Sequence, residues 1–327
     1  MNYKGPNQEE AKARILSFTA QLEFGSPCRF DGLGVFPLFS PASKSELAYL
    51  TLEEALACGL LEVRESEVAK PQELVAENKS DQMVLIIDGE EIVGGKQNRI
   101  TNASILLPPR ASTVLPTSCA ERSRWRLARK SFRAEEAAFP SLRAIALGRG
   151  MSYRASQLRI WASIGHRSAL FERQPSTNAL CKLYGREKAS LARYAAALPY
   201  PQGSKGVIAA MGNGLTCADL FDQAKTLAKL WPTLIRSYTM DAIAWEGEAT
   251  AKEREGKRLI EALRGAHFQV SPSAGLGQKV RIEGKDLVGS ATLYAGQIVH
   301  LALFSTPPPS SIMQTSGGHL SHIQLGA

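Results

Sequence analysis

A chain of 327 residues with 44% hydrophobic and 21% charged residues has the balance of a folded protein, which argues against a disordered or fibrous class and favours two domains or one elaborated domain with an insertion. Its five cysteines, Cys28, Cys58, Cys119, Cys181 and Cys217, are odd in number and lack Cys-x-x-Cys spacing, which argues against a disulfide framework or a zinc knuckle. The net charge of +8 favours anionic partners, and the lack of a long apolar run or of an apolar core in residues 1–10 predicts a cytoplasmic protein without membrane contact.

In chain order, residues 9–24 predict an amphipathic helix with Ile15, Phe18 and Leu22 on one face, ended by Gly25-Ser26-Pro27. From Leu33 to Leu115, short apolar runs at 34–39, 61–63, 73–77, 83–87, 91–93, 104–107 and 113–115 alternate with turn residues, the spacing of an antiparallel β-sandwich or barrel. One short helix over 51–58 interrupts them, with Thr51 as cap and Gly59 as stop. Asp88-Gly89 predicts a two-residue type I′ hairpin, which needs positive φ at both central positions. With a turn at 78–81, residues 74–93 read as a three-stranded meander.

Between Arg122 and Arg173 stand eleven Arg and one Lys against Glu135, Glu136 and Glu172. The region 122–200 reads as helical, with Leu158, Trp161 and Ile164 on one face and Ser176 capping a helix that carries Leu180, Leu183 and Tyr184. Leu198-Pro-Tyr-Pro201 closes it. Two strands, 206–211 and 215–221, join through Gly212-Asn-Gly214. A helix over 227–242 contains Pro232, which marks a kink or a second helix start. A further helix spans 252–264, and strands follow near 267–270, 279–283, 287–294 and 298–304. The predicted class is α+β: a sandwich-like β-rich part at 1–121, a basic helical region at 122–200, and at 201–305 an antiparallel sheet with helices on one face. A Pro, Ser and Gly-rich stretch at 306–327 reads as a flexible tail.

The candidate site starts at Gly94-Gly-Lys-Gln-Asn-Arg99, where two glycines and four polar side chains follow an apolar strand. Two glycines let a backbone approach a ligand; Lys96 and Arg99 suit phosphate, and Gln97, Asn98 and Asn102 suit sugar or base. The structural alternative is a solvent-exposed bulge with a polar rim. Glu121, Arg124 and Trp125 form a second candidate wall, able to grip a nucleotide by charge and stacking, or else a surface salt bridge beside a core tryptophan. Cys119 reads as a buried, inert thiol rather than a nucleophile, having no His nearby in sequence. Glu90 and Glu91 are adjacent on a strand and so face opposite sides. Arg236 and Asp241 read as structural. Gly89 and Gly94 have P-loop separation, but Gly95 stands where the lysine is needed, and His319 and His322 lack companions. Neither a cofactor nor a metal is expected.

Asp88-Gly-Glu-Glu-Ile-Val-Gly-Gly-Lys-Gln-Asn-Arg99, Asn102 and Ser118-Cys-Ala-Glu-x-x-Arg-Trp125 together resemble the ADP-ribosylglycohydrolase- and rhodanese-phosphatase-associated domain family. Weaker agreement extends through Gln157-x-x-x-Trp161, Ser176-Thr177, Leu230-Trp-Pro-x-Leu-x-Arg-Ser-Tyr238 and 296–304. Gly95 departs from the family's Gly-Ala-Lys-Gln-Asn-Arg. The family carries no established reaction; the resemblance implies a link to ADP-ribose and NAD metabolism. The leading expectation is a binding or accessory module for an ADP-ribose-like, nucleotide-derived anionic ligand. The alternatives are an ADP-ribosyl hydrolase or transferase using Glu90, Glu91 or Glu121, with turnover as the discriminator, and a nucleic-acid-associated protein using 122–173.

Overall fold

The computed structural model describes residues 5–40, 47–66, 70, 72–122, 129–148, 152–171, 179–212, 214–244 and 253–306. Asn7 starts α1 (Gln8–Ala20) with a capping box in which its side chain accepts the Glu10 N–H and the Glu10 carboxylate accepts its own. Strands β1 (Glu23–Phe24), β2 (Cys28–Phe30), β3 (Leu33–Phe39) and β4 (Tyr49–Thr51) follow, and Thr51 with Glu54 makes a second capping box for α2 (Leu52–Ala57). Next come β5 (Leu61–Glu65), β6 (Glu73–Asn78), β7 (Met83–Ile86), β8 (Glu90–Gly95), β9 (Arg99–Thr101), β10 (Ile105–Leu107), β11 (Ala111–Cys119) and β12 (Arg129–Ala137). Four helices succeed them: α3 (Pro140–Leu147), α4 (Tyr153–Phe171), α5 (Leu180–Arg186) and α6 (Lys188–Ala197). The chain continues through β13 (Gly206–Met211), β14 (Thr216–Phe221), α7 (Ala224–Ala242) and α8 (Glu253–Glu261), then β15 (His267–Pro272), β16 (Gln278–Glu283), β17 (Leu287–Tyr294) and β18 (Gln297–Ser305).

These elements form an α+β fold of three sheets. A six-stranded sheet, in order β12-β8-β9-β11-β6-β5, and a three-stranded sheet, β10-β7-β4, enclose one apolar cluster that includes Leu74, Ile86, Ile92, Ile105 and Leu115, with Leu52 and Ala55 of α2 packed into it. The nine-stranded sheet runs β1-β3-β13-β14-β18-β17-β16-β15, with β2 on β3. Strand β3, from the start of the chain, therefore pairs with β13 and joins, near one edge, the sheet built mainly from the chain's end. Strands β13 and β14 are buried at every position, because both faces of the sheet are covered. Leu227, Leu230, Leu234 and Tyr238 of α7 pack on one face, and Ile15 of α1 and Leu259 of α8 on the other, where the sequence pattern placed helices on one face only. Helix α7 runs unbroken through Pro232.

Four local expectations are altered by the tertiary structure. Asp88-Gly89 does not close a hairpin: β7 pairs with β10 and β4, whereas β8 pairs with β9 and β12, so residues 74–93 are no meander. Gly89 has φ 85° but Asp88 does not take positive φ, and Glu90 N–H reaches the Ile87 carbonyl at 3.4 Å. One positive φ at the third position is the type II pattern, whose twist splays its flanking strands into two sheets instead of pairing them. The two-residue loop with positive φ at both positions is Ala295-Gly296 (48° and 80°), between β17 and β18. Residues 129–137, expected to be helical, form β12 against β8. On α4 the buried face is Gln157, Ile160, Ile164 and Arg167, while Leu158 is 53% exposed. Gln157 sets that rotation by accepting the Cys119 N–H at 2.8 Å and donating to the Cys119 carbonyl at 2.9 Å. The Ser176 cap, Arg124, Trp125 and the tail beyond Thr306 lie outside the described residues.

The layers are joined by a buried ionic junction. Arg143 of α3, fully buried, donates to Asp88 at 3.1 and 3.2 Å and to Asp219 of β14 at 2.6 and 2.9 Å. Tyr238 donates to Asp219 at 2.6 Å, and His300 Nε2 meets it at 3.1 Å. Ser104 completes the ring, 2.7 Å from His300 Nδ1 and 3.0 Å from Asp88. Burial alone would raise the Asp219 carboxyl, but Arg143 and the His300 hydrogen bond hold it well below the usual carboxylate range. Such a carboxylate stabilises the fold only while ionised. Its contribution is complete above the titration of an unfolded aspartate, about pH 3.9, and is lost as pH falls through the folded value. Replacing Asp219→Asn leaves the buried guanidinium half-paired and is expected to cost about 3–5 kcal/mol in urea unfolding at pH 7. That gap to the wild type should hold down to about pH 4 and close below it; a gap independent of pH would contradict the assignment.

Candidate functional site

The polar run forms the connection between β8 and β9, and its residues are divided between surface and interior. Lys96 is half-buried at the tip, whereas Gln97, Asn98 and Arg99 are buried. Glu65 of β5 accepts the Lys96 N–H at 2.8 Å and lies 3.9 Å from the Arg99 guanidinium. The carbonyl of Asn98 accepts the Ala120 N–H, and the Gln97 amide donates to the Glu121 carbonyl at 3.0 Å. The turn is thus clamped from three sides, which fixes the Lys96 position without a ligand.

The glycines serve packing rather than an open approach to the backbone. Gly94 has φ 150° and Gly95 φ 56°. A Cβ on Gly94 would stand 2.7 Å from the Ser131 carbonyl and 3.0 Å from the Phe132 Cα. One on Gly95 would meet the Phe132 ring tip at 2.4 Å and the Glu65 carboxylate at 2.5 Å.

Below the turn lies a second group of residues. Glu91 is fully buried; its Oε1 accepts from Asn98 Nδ2 at 3.4 Å, the Cys181 backbone N–H donates to the same carboxyl, and its Oε2 has no hydrogen-bond partner among the described residues. Burial, reinforced by Glu135 and Glu136, raises this carboxyl well above its ordinary range. The Cys181 thiol, 3.4 Å from Asn98 Nδ2, is pushed up to about 12 by burial and by Glu91, Glu135 and Glu121, so it is no thiolate nucleophile at neutral pH. Glu121, two residues beyond β11, forms an isolated bridge with Ala179, the residue before α5. Glu90 faces the other side of β8, where its carboxylate accepts the Ile87 N–H at 2.7 Å. Burial pushes Glu90 up to about 8.

The structure therefore gathers Lys96, Gln97, Asn98, Arg99 and Glu121 around one turn. Asn102 stands beyond the opposite end of β9, where its N–H binds the Pro116 carbonyl. Arg124 and Trp125, as noted, are not among the described residues. Cys119 is buried, and burial raises its thiol. Arg236 pairs with Glu136, and Asp241 accepts from Ser141 and Arg167, both structural. Of the arginines between 122 and 173, Arg143 and Arg167 are buried in ion pairs, so the basic stretch is not one surface field. Ser104, His300 and Asp219 follow the order of a nucleophilic triad, yet all three are at most 3% exposed and Asp219 is bound to Arg143, which makes them a joint between layers. Sequence reasoning missed Glu65 and Cys181 at the site; neither carries a motif or periodicity that marks it.

Among the described residues no helix is long and apolar enough to cross a membrane. A family model for the ARG and Rhodanese-Phosphatase-superfamily-associated Protein domain matches residues 21–304, leaving α1 outside the match. No curated protein and no solved structure matches the chain.

The two glycines differ in what obstructs a side chain. Gly94→Ala meets backbone atoms in a conformation that L-residues avoid, and is expected to cost about 2 kcal/mol or more. Gly95→Ala meets only side-chain tips in the left-handed region and should cost about 1 kcal/mol. Urea unfolding of the two variants checks the order; equal losses would contradict it.

Proposed function

The chain belongs to the ARG and Rhodanese-Phosphatase-superfamily-associated family, and on that premise we propose that it is a binding module for an ADP-ribose-like, nucleotide-derived ligand held at the β8–β9 turn. The reading is carried by one observation: four consecutive polar residues on a turn clamped by Glu65, Ala120 and Glu121, with Lys96 held at the accessible tip. Lys96 meets phosphate. Gln97 and Asn98, buried beneath it with their amides on the Glu121 carbonyl and the Glu91 carboxyl, support the turn, as does Arg99 beside Glu65. A pre-formed site of this kind loses little ordering entropy on binding. Asn102, at the far end of β9, has no part in this reading.

The test is a thermal-shift comparison of AMP and ADP-ribose against wild type, Lys96→Ala and Asn98→Ala, with chromatography of the nucleotide afterwards. At a hundredfold excess over Kd, ADP-ribose is expected to stabilise wild type by about 2.7 kcal/mol, with most of the shift lost in Lys96→Ala and the nucleotide recovered intact. No shift with either nucleotide would overturn the reading.

One feature favours a second reading as an ADP-ribosyl hydrolase or transferase: burial, reinforced by Glu135 and Glu136, raises the Glu91 carboxyl well above its ordinary range, the direction a general acid needs. Under that reading ADP-ribosylated substrates are converted, and Glu91→Gln retains binding while turnover falls by about 10²–10⁴. Intact substrate after prolonged incubation with the wild type would rule it out.

A further inference from the structure

We propose that Lys279 of β16 is a reactive amine that condenses with an aldehyde, at a place on the nine-stranded sheet apart from the β8–β9 turn. The strand register sets it in a polar row across one face of that sheet. Ser271 of β15 is its partner on one side and Thr292 of β17 on the other, and Thr292 stands opposite His300 of β18. The row thus runs from the buried ionic junction to the edge strand, and exposure rises along it. His300 and Thr292 are at 1%, Lys279 is half-buried and Ser271 is exposed. Lys279 stands where the row meets solvent, partly withdrawn from water yet within reach of a small molecule. The chain leading into β16 is tied down beside it: the Leu276 N–H binds the Leu106 carbonyl at 2.7 Å, and the Ser273 N–H the Gly277 carbonyl at 3.2 Å.

The charges around Lys279 leave its ammonium unanswered. No hydrogen bond or ion pair joins it to another described residue. Two residues along β16, on the same face, stands the like charge of Arg281. Glu283, next on that face, is occupied by Arg281 at 2.5 and 2.6 Å, with His267 of β15 opposite it. Gln269 and Ser271 of β15 and Ser290 and Thr292 of β17, which flank Arg281 and Lys279, carry no charge. Asp88, across the layer boundary, favours the charged amine, but Arg143 holds it at 3.1 and 3.2 Å. Desolvation and a neighbouring cation are the two conditions that turn a lysine into a nucleophile. Both act here: burial first, then Arg281, lower the amine below its ordinary value, so more of it is uncharged at neutral pH than in an exposed lysine. The uncharged nitrogen adds to the carbonyl carbon, and the carbonyl π pair passes to oxygen. Both amine hydrogens then leave with that oxygen as water, and an imine remains.

Reductive alkylation of the full chain with propanal and cyanoborohydride, resolved by residue with peptide mass spectrometry, tests the proposal. At pH 7, Lys279 is expected to be modified about tenfold faster than the exposed Lys182 and Lys188. Above about pH 10.4, where an ordinary lysine is itself uncharged, that advantage should vanish. Arg281→Gln removes the like charge from a side chain that is 30% exposed, and should slow Lys279 about threefold at pH 7. Equal rates at the three lysines at pH 7, a Lys279 rate below the others at both pH values, or a rate unaffected by Arg281→Gln would overturn the proposal.

Discussion

Arg143 is fully buried between a carboxylate of the corner leading into β8 and a carboxylate of the nine-stranded sheet, and the arrangement of the two layers follows from where it sits. A guanidinium taken out of water is costly unless every donor finds an acceptor, and the planar fork of arginine makes four bonds to two carboxylates in one geometry. The remaining acceptor capacity of Asp219 goes to Tyr238 and His300, and that of Asp88 to Ser104. Since a carboxylate oxygen only accepts, His300 Nε2 carries the proton toward Asp219. Its ring stacks on Phe221 at 4.5 Å, which fixes its plane. The junction adds little net stability against an apolar equivalent, but a misdocked layer would strand a buried charge, so it selects one arrangement.

The same junction sets the start of the candidate site. Gly89 is required where it is because a Cβ there would lie 2.7 Å from the Arg143 side chain. The corner it makes sends β8 away from β7, and the Ala138 N–H returns to the Gly89 carbonyl at 2.7 Å, which brings β12 alongside. Glu91 then has β12 on one side and α5 on the other. Two further buried polar contacts, Gln157 on Cys119 and Arg167 on Asp241, hold α4 against β11 and α7. The helical region is therefore anchored by polar groups as much as by its apolar face.

Around the turn, charge is separated in space. Lys96 and the Arg99–Glu65 pair occupy the tip and its support, while the glutamates of β8, β11 and β12 gather on the side of α5. Burial, reinforced by these glutamates, raises both the Glu91 carboxyl and the Cys181 thiol beneath a turn that carries Lys96. The separation explains the character of the run itself: its inner amides are occupied in linking the two halves, and Lys96 is the residue turned outward.

Local chemistry was legible in the sequence. The Thr51 cap of α2, the strands of the closing sheet, the helical period across 227–242 and the exceptional nature of residues 94–99 follow from spacing, turn residues and side-chain type, which report whether a position is buried and how the backbone bends; the box at Asn7 and the unbroken passage of α7 through Pro232 do not. Pairing was not legible, because periodicity carries no record of which strand lies alongside. Asp88-Gly89 has the composition of a hairpin, yet its carboxylate belongs to Arg143, 55 residues away, and that arginine reaches a further 76 residues to Asp219. Residues 129–137 look like part of a basic helical stretch, and only the open edge of β8 makes them a strand. Glu65 and Cys181 enter the site through contacts 31 and 83 residues distant in the chain. The sequence by itself determined most of the segments; the tertiary structure decided which strands pair, which face α4 buries and which buried charges meet, since a charge removed from water is tolerated only where its partner is brought to it.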